Sequence, residues 1–200
     1  MKKGILVGAA VLVLAVLVAA PASAASKVDF GFKLGVSSSN VKWTDDDGTE
    51  NALTEVTFGG LAILNLSPKM GLQFELDYLV TGETWPSETY GTVKEKFAYL
   101  HIPVLLRYKF MAEGKFVPVV FAGPVFSFLL SASETGYGDV KDWLKPTDFG
   151  LDMGLGAEIA LGKIKALLDA RYYLGLVNAY NDPYATMKNS AFLVTAGVIF

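Results

Sequence analysis

Residues 28–36 read VDFGFKLGV, and they alternate without a slip. Val28, Phe30, Phe32, Leu34 and Val36 hold one parity, while Asp29, Gly31, Lys33 and Gly35 hold the other. Successive side chains of a strand point to opposite faces, so this segment predicts a strand with one apolar face and one small or charged face.

The same period recurs along the chain. Residues 72–80 place Leu72, Phe74, Leu76, Tyr78 and Val80 opposite Gln73, Glu75 and Asp77. Residues 98–110 set Leu100, Ile102, Val104, Leu106, Tyr108 and Phe110 against His101, Pro103, Leu105, Arg107 and Lys109. Residues 149–161 oppose Leu151, Met153, Leu155, Ala157 and Ile159 to Asp152, Gly154, Gly156 and Glu158. Residues 166–176 oppose Leu168, Ala170, Tyr172 and Leu174 to Asp169, Arg171 and Tyr173. The last segment brings Phe192, Val194, Ala196, Val198 and the terminal Phe200 onto one face.

Two segments are less regular. Residues 54–66 place Val56, Phe58, Ala62 and Leu64 on one face but Leu61 and Ile63 on the polar one. Residues 116–131 are apolar on both faces, and Pro118 and Pro124 lack ladder donors, which predicts a bulge or an edge-like distortion there. With these two, the chain is expected to form eight strands.

The N-terminus sets the compartment. Lys2 and Lys3 precede an apolar run from Gly4 to Ala20, followed by Pro21 and Ala22-Ser23-Ala24. A basic start, a short apolar stretch and an Ala-x-Ala site predict a signal peptide over residues 1–24, with the folded domain over 25–200. Loss of the two lysines takes the formal charge from −3 to −5. That mild acidity argues against nucleic acid as a partner. The chain has no cysteine, so disulfides and thiolate metal sites are excluded. Hydrophobic residues make up 52%, yet beyond the signal no apolar run is long enough for a membrane helix.

The connectors alternate in length. Ser67–Gly71, Ala112–Gly114 and Gly162–Lys163 are short; Ser37–Ala52, Thr81–Lys94, Ser131–Thr147 and Asn178–Lys188 are long and polar. Short turns at one end and long loops at the other are the habit of outer-membrane barrels, whose strands need about 9–11 residues to cross. Both termini then lie at the periplasmic end. A soluble ligand-binding barrel would point its apolar face inward instead. Glycines on the polar face (Gly31, Gly35, Gly150, Gly154, Gly156, Gly175, Gly197) suit a cramped lumen, as do charges of both signs. The expected fold is all-β: an eight-stranded antiparallel up-and-down transmembrane β-barrel in the outer membrane.

Several segments also carry a resemblance: LQFELDYLV at 72–80, YLHIPVLLRYKF at 99–110, FAGPVFSFLL at 121–130, DFGLDMGLGAEIALG at 148–162, LLDARYYLGL at 167–176, and the closing FLVTAGVIF. Together they cover most of the mature chain, which resembles the small porin-like outer-membrane β-barrel family, akin to the eight-stranded OmpX and OmpA barrels. Family members often carry an acid before the Ile-Pro of the fourth strand, where this chain has His101. The resemblance implies that Phe200 belongs to a C-terminal signal read by the barrel-assembly machinery. It implies a fold and an address, and no activity.

Candidate chemistry lies in the lumen and the loops. Eight strands enclose only enough room for side chains. Asp29, Lys33, Glu55, Glu75, Asp77, Arg107, Lys109, Asp152, Glu158, Asp169 and Arg171 are expected to point inward and satisfy one another, with Glu75 and Arg107 in one network and His101 as a member. The network is read as a plug; the functional alternative is a narrow ion path that it gates. Asp45-Asp46-Asp47-Gly48 lacks the alternate ligand positions of a calcium loop and reads as a solvated acidic tip, able to meet the cations that bridge lipopolysaccharide. No metal or cofactor is called for. Trp43 is expected in the aromatic girdle, with Trp85 and Trp143 unassigned. No Gly-x-Ser-x-Gly elbow or paired histidines are present, and loop serines such as Ser131 and Ser133 lack an evident base, so an enzyme is not expected. The leading expectation is a monomeric, non-enzymatic envelope or surface protein in contact with outer-membrane lipid and lipopolysaccharide. A small passive pore and a periplasmic ligand-binding barrel stand as alternatives.

Overall fold

A computed structural model of the chain describes residues 28–43, 51–182 and 184–200. The signal segment 1–24 and the acidic run Asp45, Asp46 and Asp47 lie outside the described residues.

Alternation becomes a closed wall. The strands are β1 (Val28–Trp43), β2 (Asn51–Asn65), β3 (Met70–Ser87), β4 (Gly91–Lys109), β5 (Phe116–Glu134), β6 (Gly138–Asp139), β7 (Thr147–Leu161), β8 (Ile164–Gly175) and β9 (Met187–Ile199). Eight long strands each pair antiparallel with their neighbours in sequence, β5 passing to β7, and β9 returns to pair with β1. The two-residue β6 merely folds back on the tip of β5. A closed barrel leaves no unpaired edge.

Parity decides the faces, and the apolar one is outward. Phe32, Leu34 and Leu155 are 55%, 60% and 63% exposed, whereas Lys33, Glu75 and Arg171 are 3%, 3% and 1% exposed. Outward chains from every wall strand join in, among them Phe58, Leu76, Leu106, Phe126, Leu168 and Phe192. A continuous apolar belt of this kind would drive aggregation in water, and hydrocarbon removes the penalty. Leu61 and Ile63, which break the alternation of β2, do point inward and pack with Leu167 and Ile199 at the end where the termini meet.

Short turns close that end. Leu161 and Ile164 face each other across Gly162-Lys163, and Gly162 adopts φ 77°, a left-handed value that glycine takes without strain. At the other end the strands run on. They span 12 to 19 residues, longer than the 9–11 expected for a crossing. The predicted loop Thr81–Lys94 is mostly a continued β3–β4 hairpin that turns only at residues 88–90. Above the membrane the outward face of a strand meets water rather than lipid, so polar composition there hides a strand behind the signature of a loop.

The distortion expected in β5 is present, and it falls on the side facing β4. Pairing with β7 runs in one register from Phe116 to Phe128, straight across Pro118 and Pro124. Phe110 N donates to Pro118 O, so both even-numbered prolines turn their missing donors toward β4, where the ladder skips Val104 and Leu105. The bulge itself sits higher, at Leu130, between the pairs Ala98–Ser131 and Tyr99–Leu129.

Candidate functional site

Inward parity sends every lumen side chain toward the barrel axis, where chains from distant strands meet. Arg171 on β8 reaches Glu75 on β3, four strands away on the opposite side of the wall, through Nη1–Oε2 at 2.7 Å and Nη2–Oε1 at 3.0 Å. A planar guanidinium matches a carboxylate in this two-pronged way, so the pair is a strut across the lumen. Arg171 also lies 3.3 Å from Asp152 and 3.3 Å from Asp169, and its guanidinium stacks 5.0 Å above the Phe121 ring. Lys33 bridges Glu75 at 2.5 Å and Asp77 at 3.0 Å, and Gln73 donates to the same Glu75.

A second cluster fills the end near the short turns. Arg107 Nη1 stands 2.9 Å from Glu158, close as an ion contact though not aligned as a hydrogen bond. Lys109 and Lys165 reach the same carboxylate at 3.2 and 3.7 Å, and Lys165 ties Asp29 at 3.3 Å. Glu75 and Arg107, expected in one network, therefore sit in different clusters. The expectation assumed neighbouring strands; in a narrow cylinder an inward chain meets its partner across the axis. Glu55 stays partly exposed at the wall and pairs with Lys96.

His101 lies beside the central cluster. Its Nδ1 is 2.9 Å from Ser127 Oγ, its Nε2 is 3.7 Å from Asp152, and its ring meets Tyr173 edge-on at 4.7 Å. Ser127 was not legible as a partner, because its place opposite His101 follows from the β4–β5 register. Above this level Asp148 accepts from Tyr173 and Asn189, and Thr81 donates to Asn189. An apolar cluster then packs at the mouth: Val41, Phe97, Tyr99, Leu129, Val140 and Met187 with Trp43 and Tyr180. Trp43 is thus a mouth residue, contrary to the girdle expectation. Its Nε1 donates to Glu83 at 2.8 Å and its ring meets Tyr180 at 5.2 Å, because residue 43 carries the inward parity of Val41.

A greasy exterior, a charged interior and alternately short and long connections describe a barrel built for a bilayer. The model of the outer membrane protein β-barrel domain family matches residues 20–181. The chain belongs to this family. Neisserial surface protein A shares the fold with a TM-score of 0.54 at 14% identity, over 87% of this chain and 99% of that one. The outer membrane protein OprG from Pseudomonas aeruginosa aligns at a TM-score of 0.53 and 14% identity, over 88% and 97% respectively. No curated protein sequence matches the chain. As an outer membrane barrel the protein resides in the outer membrane, and the periplasmic ligand-binding barrel with its apolar face inward is overturned.

The outer membrane placement puts one group of acids above the apolar belt, at the mouth of the barrel. Glu83, Glu95 and Glu134 sit side by side on β3, β4 and β5, each in register with the next. Like charges directly opposite repel. Burial, then Glu83, then Glu134, push the Glu95 carboxyl up to about 8 from an ordinary 4.5. The folded state therefore holds this proton more tightly than the unfolded chain, so stability falls as pH rises from about 4.5 to about 8. The Glu95→Gln variant is expected to flatten that fall, as read from urea midpoints at pH 5 and pH 8.5.

Proposed function

We propose that the protein is a non-enzymatic, monomeric outer-membrane barrel whose lumen is plugged and whose extended extracellular end serves envelope integrity or surface contact. The observation that carries this reading is the Arg171–Glu75 strut across the lumen, with an apolar cluster below it and another at the mouth. Ser127, His101 and Asp152 resemble a hydrolytic triad in kind, but all three are buried. A nucleophile must reach its substrate, so their burial supports a structural role. Phe200 pairs with Phe30 through two backbone bonds at the barrel seam, and its place there fits a C-terminal signal read by the barrel-assembly machinery.

A second reading, a narrow ion path, draws on the acid-rich centre. Asp77 and Asp152 each keep one buried oxygen without a hydrogen-bond partner, the kind of site water or a cation would fill. Planar-bilayer recording of the purified protein separates the two. The plugged reading expects a featureless current; discrete steps of reproducible conductance would replace it with the pore.

A further inference from the structure

The wall parts above the end of the β7–β8 ladder. On the β7–β8 side, Leu176 N still bonds Phe149 O at 2.9 Å, and higher up Lys145 N bonds Ala179 O at 2.8 Å. Between these two bonds the regular β7–β8 pairing has ended at Gly150–Gly175. A cavity of about 470 Å³ opens there, lined by Phe126, Lys145, Thr147, Phe149, Val177 and, on its inner side, Asp148. Phe126 and Phe149 are outward cross-strand partners with ring centroids 4.9 Å apart, and Phe126 and Val177 are exposed. Their apolar floor continues the lipid-facing belt of Leu151, Met153 and Leu155 on the same strand. The Lys145 ammonium spans the parting to the Asn178 carbonyl at 3.0 Å. That bond uses one of its three donors.

We propose that this groove binds a phosphorylated lipid of the outer leaflet, its phosphate on Lys145 and an acyl chain along Phe126 and Phe149. The occupant follows from charge and position together. A cation at the upper border of an apolar belt sits where lipid phosphates lie, and the aromatic floor leads from it into the hydrocarbon. The Asp148 carboxylate does not oppose the phosphate freely, since it accepts bonds from Phe149 N at 2.8 Å, Tyr173 Oη at 2.9 Å and Asn189 Nδ2 at 2.8 Å. The site needs the outer-membrane placement and is independent of whether the lumen conducts.

The test uses the full folded chain in zwitterionic nanodiscs, with bisphosphorylated lipid A and its dephosphorylated form as probes. Native mass spectrometry after ejection from the disc is expected to find lipid A retained and the dephosphorylated form lost. Lys145→Glu should weaken retention about tenfold, the scale of one charge-assisted bond. Lys163→Glu, in the opposite turn, should leave it unchanged. Folding of each variant is read from heat-shifted gel mobility, and Lys145→Gln carries the test if the charge reversal does not fold. Equal retention of the two lipids, or full retention by the folded Lys145 variant, would overturn the proposal.

Discussion

The Arg171→Met variant is expected to lose about 3–5 kcal/mol of folding free energy, the scale for removing one member of a buried ion cluster. The loss comes less from the attraction given up than from what remains. Glu75, Asp152 and Asp169 all lie against the guanidinium, and Lys33, which bridges Glu75, is left with the more distant Arg107 to offset them. A carboxylate stranded away from water costs more than its pair had contributed. Adding Glu75→Gln to Arg171→Met should therefore recover part of the loss, giving a coupling term well above the few tenths expected of independent sites. Lys165→Ala, at a side chain 37% exposed, is expected to cost no more than about 1 kcal/mol. Urea titration in lipid vesicles of these three variants, and of Glu75→Gln alone, reads the losses and the coupling. A small loss for Arg171→Met with no coupling would mean that the strut does not bear on stability.

The second large effect lies on the other face. Leu155 points outward between Val120 and Ala170, within the apolar belt. Leu155→Arg is expected to lower stability in a bilayer by about 2–4 kcal/mol, as for arginine near the midplane of other barrels. On a water-facing surface the same change would fall within about 0.5 kcal/mol of neutral. Folding yield into vesicles, with Leu155→Ala as the size control, distinguishes these cases.

These two predictions use both faces of the wall, and both faces were legible in the sequence. Period-2 alternation assigned Lys33, Glu75, Asp152 and Arg171 to one side and Phe32, Leu76 and Leu155 to the other. It could do so because a strand has only two sides. What alternation lacks is register around a closed circle. The partners of Glu75 depend on how eight strands stagger, which is why Arg171 rather than Arg107 meets it and why Ser127 was not seen beside His101. Strand ends were hidden for another reason. Above the belt no lipid demands apolar residues, so Thr81–Ser87 and Gly91–Lys94 read as loop while folding as strand. Trp43 misled because tryptophan suits both a girdle and a plug, and only its parity decides between them.

The apolar face of the wall points at lipid and the charged face at the lumen. The chain has no cysteine, so single cysteines at Phe32, Leu155, Phe192 and Val194 can each carry one nitroxide without interference. Power saturation in vesicles then reports collisions with oxygen, which concentrates in hydrocarbon, and with a nickel chelate, which stays in water. At all four sites the lipid-facing arrangement predicts strong relaxation by oxygen and almost none by the chelate. Relaxation dominated by the chelate at these positions would place them in water and contradict it.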